Sequence, residues 1–173
     1  MSPSSIPQPS SARRGALASI WGTLGSSGLV APEVYLTNPD AGTMWGPVSL
    51  TDPMAHSIVR RGVSSKTLGP LGDLLGLELM GLAGYLDLPP RMMGRLVATD
   101  LPLPTHAAVS VVRLLQLDQM ATATFESDRE AMRWLHAPHP MLDGESPLVV
   151  AKTSFGAQRG KDILVAIQRG GVL

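Results

Sequence analysis

The sequence predicts an all-α protein, and three observations lead to that fold class. Apolar residues make up 44% of the chain but aromatic residues only 4%, so Leu, Val, Ala and Met must form most of the core, as suits helices. Beyond residue 52 the apolar residues recur three and four positions apart, which is the period of one helix face. Capping residues, Pro and Gly separate these stretches. We therefore expect about seven helices.

Composition narrows the possible functions. Fourteen basic residues balance fourteen acidic ones, which argues against a protein that holds nucleic acid mainly by neutralising phosphates. The 173 residues include no Cys, so disulfides, thiol nucleophiles and thiolate metal sites are excluded. Charged residues reach only 16%, below the usual ~25%. We expect part of this charge-poor surface to lie against a partner.

Residues 1–51 are predicted to form a flexible N-terminal arm. The first twelve residues are mostly Ser and Pro and have too little apolar surface to fold. Arg13 and Arg14 precede a weakly apolar stretch, residues 15–31, that resembles a twin-arginine or secretory leader. Because Gly and Ser interrupt it, we favour a loosely ordered arm in a cytoplasmic protein over export. No apolar run approaches the ~18 residues of a membrane span.

Residues 52–104 are predicted to form a helix-turn-helix-like region. Asp52 and Pro53 are typical of a helix start, and Gly62 ends that helix. Short helices follow over residues 69–75, 78–87 and 90–98, joined by tight turns.

Two arginines give this region a possible DNA contact. Arg91 and Arg95 are four residues apart on the third short helix, and Arg can read guanine through two hydrogen bonds. Residues 55–100 nevertheless carry five basic and four acidic residues, which gives little hold on phosphates. A structural use of the outline stays an equal alternative.

Residues 105–173 are predicted to form a helical C-terminal part. Thr105 is expected to cap a long helix over residues 106–123, and Ser127 with Glu130 forms a capping box before a helix over residues 128–136. Ser146 is expected to start a short helix that Gly156 breaks. The last helix is predicted over residues 157–169, with Gly170 and Gly171 closing it.

The residues that could carry chemistry do not form a catalytic pattern. His136 and His139 are spaced as metal ligands, but prolines on both sides of His139 keep the pair off one helix face. Asp143 and Glu145 flank a glycine and indicate a turn, not an acid–base pair. The chain has no glycine-rich phosphate-binding motif. We therefore predict no enzymatic activity, catalytic residue, metal or cofactor.

The last fifty residues resemble a known family. In order they present Phe125, Ala131, Trp134-Leu135, Pro138, Gly144, Ser146-Pro147-Leu148, Thr153-x-x-Gly156 and Ile167-x-Arg169-Gly170. This series resembles the toxin-binding domain of Xre/MbcA/ParS-type antitoxins. Residues 69–100 resemble, more loosely, the degenerate helix-turn-helix that precedes that domain. The chain departs from the family at Ser154, where an acidic residue is common.

The resemblance implies a type II antitoxin that acts by protein–protein interaction. Its partner would be a RES-domain toxin, which consumes NAD or transfers ADP-ribose, and the C-terminal end of the antitoxin would block the toxin's active site. The toxin-binding residues expected from this are Trp134, Ser154, Arg169, Gly170, Gly171, Val172 and Leu173. The resemblance also implies a dimer formed through the middle region, a hetero-oligomer with the toxin and repression of the operon.

Alternatives remain open at this stage. The chain could be a DNA-binding repressor that acts without a toxin, or a small exported enzyme. Trp134 lies on the apolar side of its predicted helix, so it is either core or an interface anchor.

Overall fold

The computed structural model describes residues 11–25, 35–37, 44–47 and 50–170. The helices in these ranges are α1 (Ser11–Gly25), α2 (Asp52–Arg61), α3 (Leu68–Leu75), α4 (Leu79–Tyr85), α5 (Pro90–Thr99), α6 (Thr105–Phe125), α7 (Asp128–His136), α8 (Pro147–Val150) and α9 (Ser154–Gln168), with 3-10 turns at Ser65–Thr67 and Pro140–Leu142. Strands β1 (Tyr35–Thr37) and β2 (Met44–Pro47) pair in antiparallel fashion. The all-α prediction is confirmed, with this short hairpin added.

Helix α6 is the centre of the fold. It is buried around much of its circumference, and α2, α7 and α9 all pack on it. A helix that is apolar on every side belongs in a core, which explains why its apolar residues follow no single stripe. Pro104 stands at its N-cap position, so Thr105 is the first residue of the helix and makes no capping bond. The prediction that Thr105 caps this helix was wrong.

Side-chain caps set the starts of the C-terminal helices. The hydroxyl of Ser127 accepts from the backbone N–H of Glu130 at 3.3 Å, and Ser146 does the same for Val149 at 3.4 Å. Each bond satisfies a donor that the first helical turn leaves free. The Ser127 cap, which is one half of the predicted capping box, and the Ser146 start are therefore confirmed. At α2 the cap is Thr51, one residue before the predicted Asp52.

The N-terminal region differs from the predicted flexible arm over Ser11–Gly25, which forms helix α1. Ala16, Ile20 and Leu24 are four residues apart and buried, with Trp21 beside them, and this face packs on α3. Gly15 and Gly22 lie on the exposed side of the helix and do not interrupt the contact. Residues 1–10 of the predicted arm are outside the described residues.

A buried ion pair fastens α1 to the centre of the fold. The Arg13 guanidinium lies 2.7 Å from Asp118 of α6 and 2.9 Å from Asp128 of α7, and it donates to Thr122 at 2.8 Å. The side chains of Arg13 and Asp118 are only 7% and 1% exposed. Burial raises the pKa of Asp118 to about 6, although the Arg13 charge opposes that rise. Arg13, which the sequence reads as part of a leader, thus has a partner inside the fold.

This raised pKa predicts a pH-dependent stability. Between pH 3.8 and about 6 the folded state keeps the Asp118 proton and the unfolded state does not. The stabilisation from this group is therefore complete below pH 4 and is lost as the pH rises to 6, by roughly 2–3 kcal/mol. Asp118→Asn removes the titrating carboxyl group. The difference in unfolding free energy between wild type and variant should therefore change across this pH window.

Urea denaturation of both proteins from pH 4 to pH 7 measures that difference. Asp73→Asn, which changes an exposed carboxylate on α3, is the control and should give a flat difference. A flat difference for Asp118→Asn as well would contradict the prediction.

Candidate functional site

The last helix has one buried face, and two glycines on it set how closely it packs. Gly156, Gly160, Ile163 and Leu164 are all buried. A β-carbon at Gly156 would fall 1.9 Å from the carbonyl oxygen of Val150, so the backbones of α8 and α9 touch there. A β-carbon at Gly160 would lie 3.4 Å from Leu117 of α6.

Gly156 does not break a helix, contrary to the sequence-based prediction. Helix α9 begins at Ser154, three residues before the predicted start, and Gly156 lies in its first turn. Its N–H donates to the hydroxyl of Thr153 at 3.0 Å, the usual N-cap bond. The glycine is needed for close approach, which a sequence pattern alone cannot distinguish from a helix stop.

Trp134 lies inward from this helix. Its ring is half-buried, with centroids 6.0 Å from Phe125 and 6.3 Å from His139, and its edge approaches Gly160. Leu135, the next residue, is fully buried. This is the arrangement that the core alternative for Trp134 describes.

The other expected toxin-binding residues lie at the two ends of α9. Ser154 is exposed at the first position of the helix, and Arg169 is exposed at its C-cap. Gly170 follows with φ +76°, in the left-handed region that glycine adopts easily. Gly171, Val172 and Leu173 are outside the described residues. The fold therefore places Ser154 and Arg169 about 22 Å apart along one helix and leaves Trp134 away from both.

His136 and His139, for which the sequence predicts no metal, both form hydrogen bonds with the backbone. The Nε2–H of His136 donates to the carbonyl of Leu75 at 2.8 Å, and Nδ1 of His139 accepts from Met141 at 3.2 Å. Asp143 pairs with Arg159 at 2.9 Å. Within the described ranges, no cluster of three His, Asp or Glu side chains is arranged to hold a metal. None of the helices in those ranges has both the length and the apolar character of a membrane span.

Arg91 and Arg95 are exposed together on one face of α5. Met93 and Leu96, on the other face, are buried. Among the described residues, neither arginine forms an ion pair. Helices α3, α4 and α5 follow one another along the chain, and Gly76 ends α3 in the left-handed conformation.

Comparison with known proteins identifies the C-terminal segment. Residues 120–170 match the profile of the antitoxin Xre/MbcA/ParS C-terminal toxin-binding domain. This segment is similar to the toxin-binding domain of Xre/MbcA/ParS-type antitoxins, and it is called the toxin-binding domain on that ground. The match confirms the resemblance found in the sequence and supports an antitoxin role, with a toxin as the partner of this segment. No curated protein matches the chain significantly.

The toxin-binding domain is not closed on itself. The match begins at Met120, inside α6, and includes only the last turns of that helix. Leu117, against which Gly160 packs, lies before the matched segment. The core of the domain is thus completed by an earlier part of α6.

The close approach at Gly156 predicts a strong effect of one methyl group. Gly156→Ala puts a β-carbon where Val150 has its carbonyl oxygen, so α8 or α9 must move, at a cost of about 3 kcal/mol or more. Gly94→Ala is the matched control, because its β-carbon would meet nothing within 4 Å on exposed α5. That variant should gain about 0.5–1 kcal/mol from helix propensity.

Thermal and urea unfolding of the two variants and wild type test this pair. Equal stability of Gly156→Ala and wild type would mean that α8 and α9 do not meet at the backbone.

Proposed function

We propose that this antitoxin neutralises a RES-domain toxin, one that consumes NAD or transfers ADP-ribose, by inserting its C-terminal tail into the toxin's active site. The observation that carries the proposal is the end of α9, where exposed Arg169 and left-handed Gly170 close the last helix of the toxin-binding domain. The type of toxin comes from the family resemblance.

The geometry of this helix end supports a tail that points away from the helix. A φ of +76° at Gly170 turns the chain off the helix axis without the strain that a β-carbon would add. Residues 170–173 span about 13–14 Å when extended, which suits a cleft deep enough for a dinucleotide. The guanidinium of Arg169 stands where the tail begins and can pair with carboxylates at the cleft mouth.

In this proposal the antitoxin performs no chemistry of its own and works by occupying the site. The tail residues Gly170, Gly171, Val172 and Leu173 exclude NAD, and Arg169 supplies the charge-assisted contact. Trp134 supports the domain from within, and Ser154 lies at the far end of the same helix.

Removing the tail should separate docking from inhibition. An antitoxin that ends at Arg169 should keep its melting temperature, since Gly170 is exposed and nothing lies within 4 Å of its β-carbon position. It should still bind the RES-domain toxin, while NAD consumption by the complex returns. Size-exclusion chromatography and an NAD assay on the same sample measure the two properties.

A single substitution, Arg169→Ala, is the companion variant and should weaken inhibition with the tail in place. Full inhibition by the truncated antitoxin would mean that the helical body itself covers the active site.

A second function, operator binding as a repressor, is favoured by α5. Its two arginines are exposed on one face, at the spacing that a recognition helix uses for base contacts. A dimer formed through the middle region would present two such helices to two half-sites. This function requires no toxin, although it is compatible with one.

The repressor function predicts a base-specific effect at Arg95. Arg95→Ala should cost about 1–3 kcal/mol of operator affinity and relax specificity at one position. Arg129→Ala, which removes an exposed arginine from α7, is the control and should leave binding unchanged. Fluorescence anisotropy with operator DNA, with and without the toxin, makes the measurement. Unchanged binding by Arg95→Ala would make the helix-turn-helix outline purely structural.

A further inference from the structure

One outward face of α9 runs the whole length of the helix. Residues 155, 159, 162, 166 and 169 are four and three positions apart, so they lie on the same side. The buried glycines and aliphatic residues occupy the opposite side. This outward stripe begins at Phe155 and ends at Arg169, where the tail starts.

Phe155 is the unusual member of the stripe. Its side chain is 85% exposed, more than any other large apolar residue in the described ranges, the next being Met80 at 57%. Burying a Phe side chain is worth about 1.5–3 kcal/mol, and this fold makes no use of it. The residue also lies inside the segment matched to the toxin-binding domain.

Arg159, the next residue of the stripe after Phe155, is held by contacts within the antitoxin. Arg159, one turn along the helix, donates to the carbonyl of Met141 at 2.7 Å and pairs with Asp143 at 2.9 Å. Met141, whose carbonyl accepts that bond, is itself 51% exposed and adds apolar surface near Arg159. Farther along, Asp162 accepts a hydrogen bond from Gln158 at 2.8 Å. Arg159, the charged residue of the stripe nearest to Phe155 in the helix, is thus paired within the antitoxin.

We propose that Phe155 is the anchor by which the toxin holds the antitoxin, outside the cleft that takes the tail, with exposed Met141 as a further apolar contact near Arg159. The inference rests on the proposed function, because it takes the tail insertion as given. Fourteen residues separate Phe155 from Arg169, which is about 21 Å along the helix. The toxin must therefore present an apolar recess about 21 Å from the mouth of its cleft.

The toxin is a better occupant than a second antitoxin. Phe155 and the tail belong to one helix, so a protein that takes the tail has its surface alongside the stripe. The contact is apolar and the neighbouring Arg159 is already paired with Asp143, so the strength of the contact should depend little on salt. Arg169 should contribute the salt-dependent part of the affinity. In this arrangement Phe155 provides most of the affinity for the toxin, and the tail that follows Arg169 provides the inhibition.

The test uses the full-length antitoxin and the purified RES-domain toxin of the proposed function. Phe155→Ser should leave the melting temperature unchanged, because the ring contacts little of its own chain. The dissociation constant should rise about 30-fold or more, as for a truncated hot spot, and by a similar factor at low and high salt. At saturating antitoxin, NAD consumption should remain fully inhibited. Met80→Ser, at the equally apolar site on α4, is the matched control and should bind as wild type.

The outcomes distinguish this inference from the function on which it rests. Binding of Phe155→Ser within threefold of wild type overturns the anchor, whatever the tail deletion gives. Loss of wild-type self-association in Phe155→Ser, with unchanged toxin affinity, also overturns it and assigns the residue to a contact between copies. Failure of the wild-type antitoxin to bind or inhibit the RES-domain protein overturns the proposed function and the anchor together.

Discussion

The backbone contact between α8 and α9 is the constraint on which the toxin-binding domain depends. Because Gly156 has no side chain, α9 can start directly against the Val150 carbonyl. That position brings Gly160 onto α6 and determines which residues of α9 point outward. A larger residue at either glycine would force a wider separation. That separation would rotate or shift the stripe that runs from Phe155 to Arg169. The outward face of α9 is thus determined by the absence of side chains at the two glycines on its buried face.

The ion pairs of Arg13 connect the N-terminal helix α1 to α6 and α7. One guanidinium contacts α6 and the first residue of α7, while its own helix packs on α3 of the middle region. Buried pairs of this kind are costly to desolvate, and they contribute specificity of arrangement more than stability. Here the arrangement that they specify is the position of α1 across the middle region and the toxin-binding domain. The raised pKa of Asp118 shows that the balance is close.

Much of the helical part could be predicted from the sequence because its signals are local. The capping box at Ser127, the Ser146-Pro147 start and the left-handed glycine at residue 170 depend on residues within one turn of each other. What the sequence did not indicate depends on distant partners. Arg13 resembles a leader until Asp118, more than one hundred residues later, is beside it. Gly156 resembles a helix stop until Val150 is seen against it. Phe155 carried one missed signal, since it lies opposite the buried Leu164 on a helical projection.

The dependence of Gly160 on Leu117 separates two meanings of the word domain in this protein. The segment that the family shares starts within α6, whereas the apolar contacts that hold α9 in place begin at least three residues earlier. The unit that is shared among relatives is therefore shorter than the unit that folds. An isolated piece cut at residue 120 would lack one wall of its own core, and a fragment meant for crystallisation or for grafting onto another protein needs α6 from Thr105 onward.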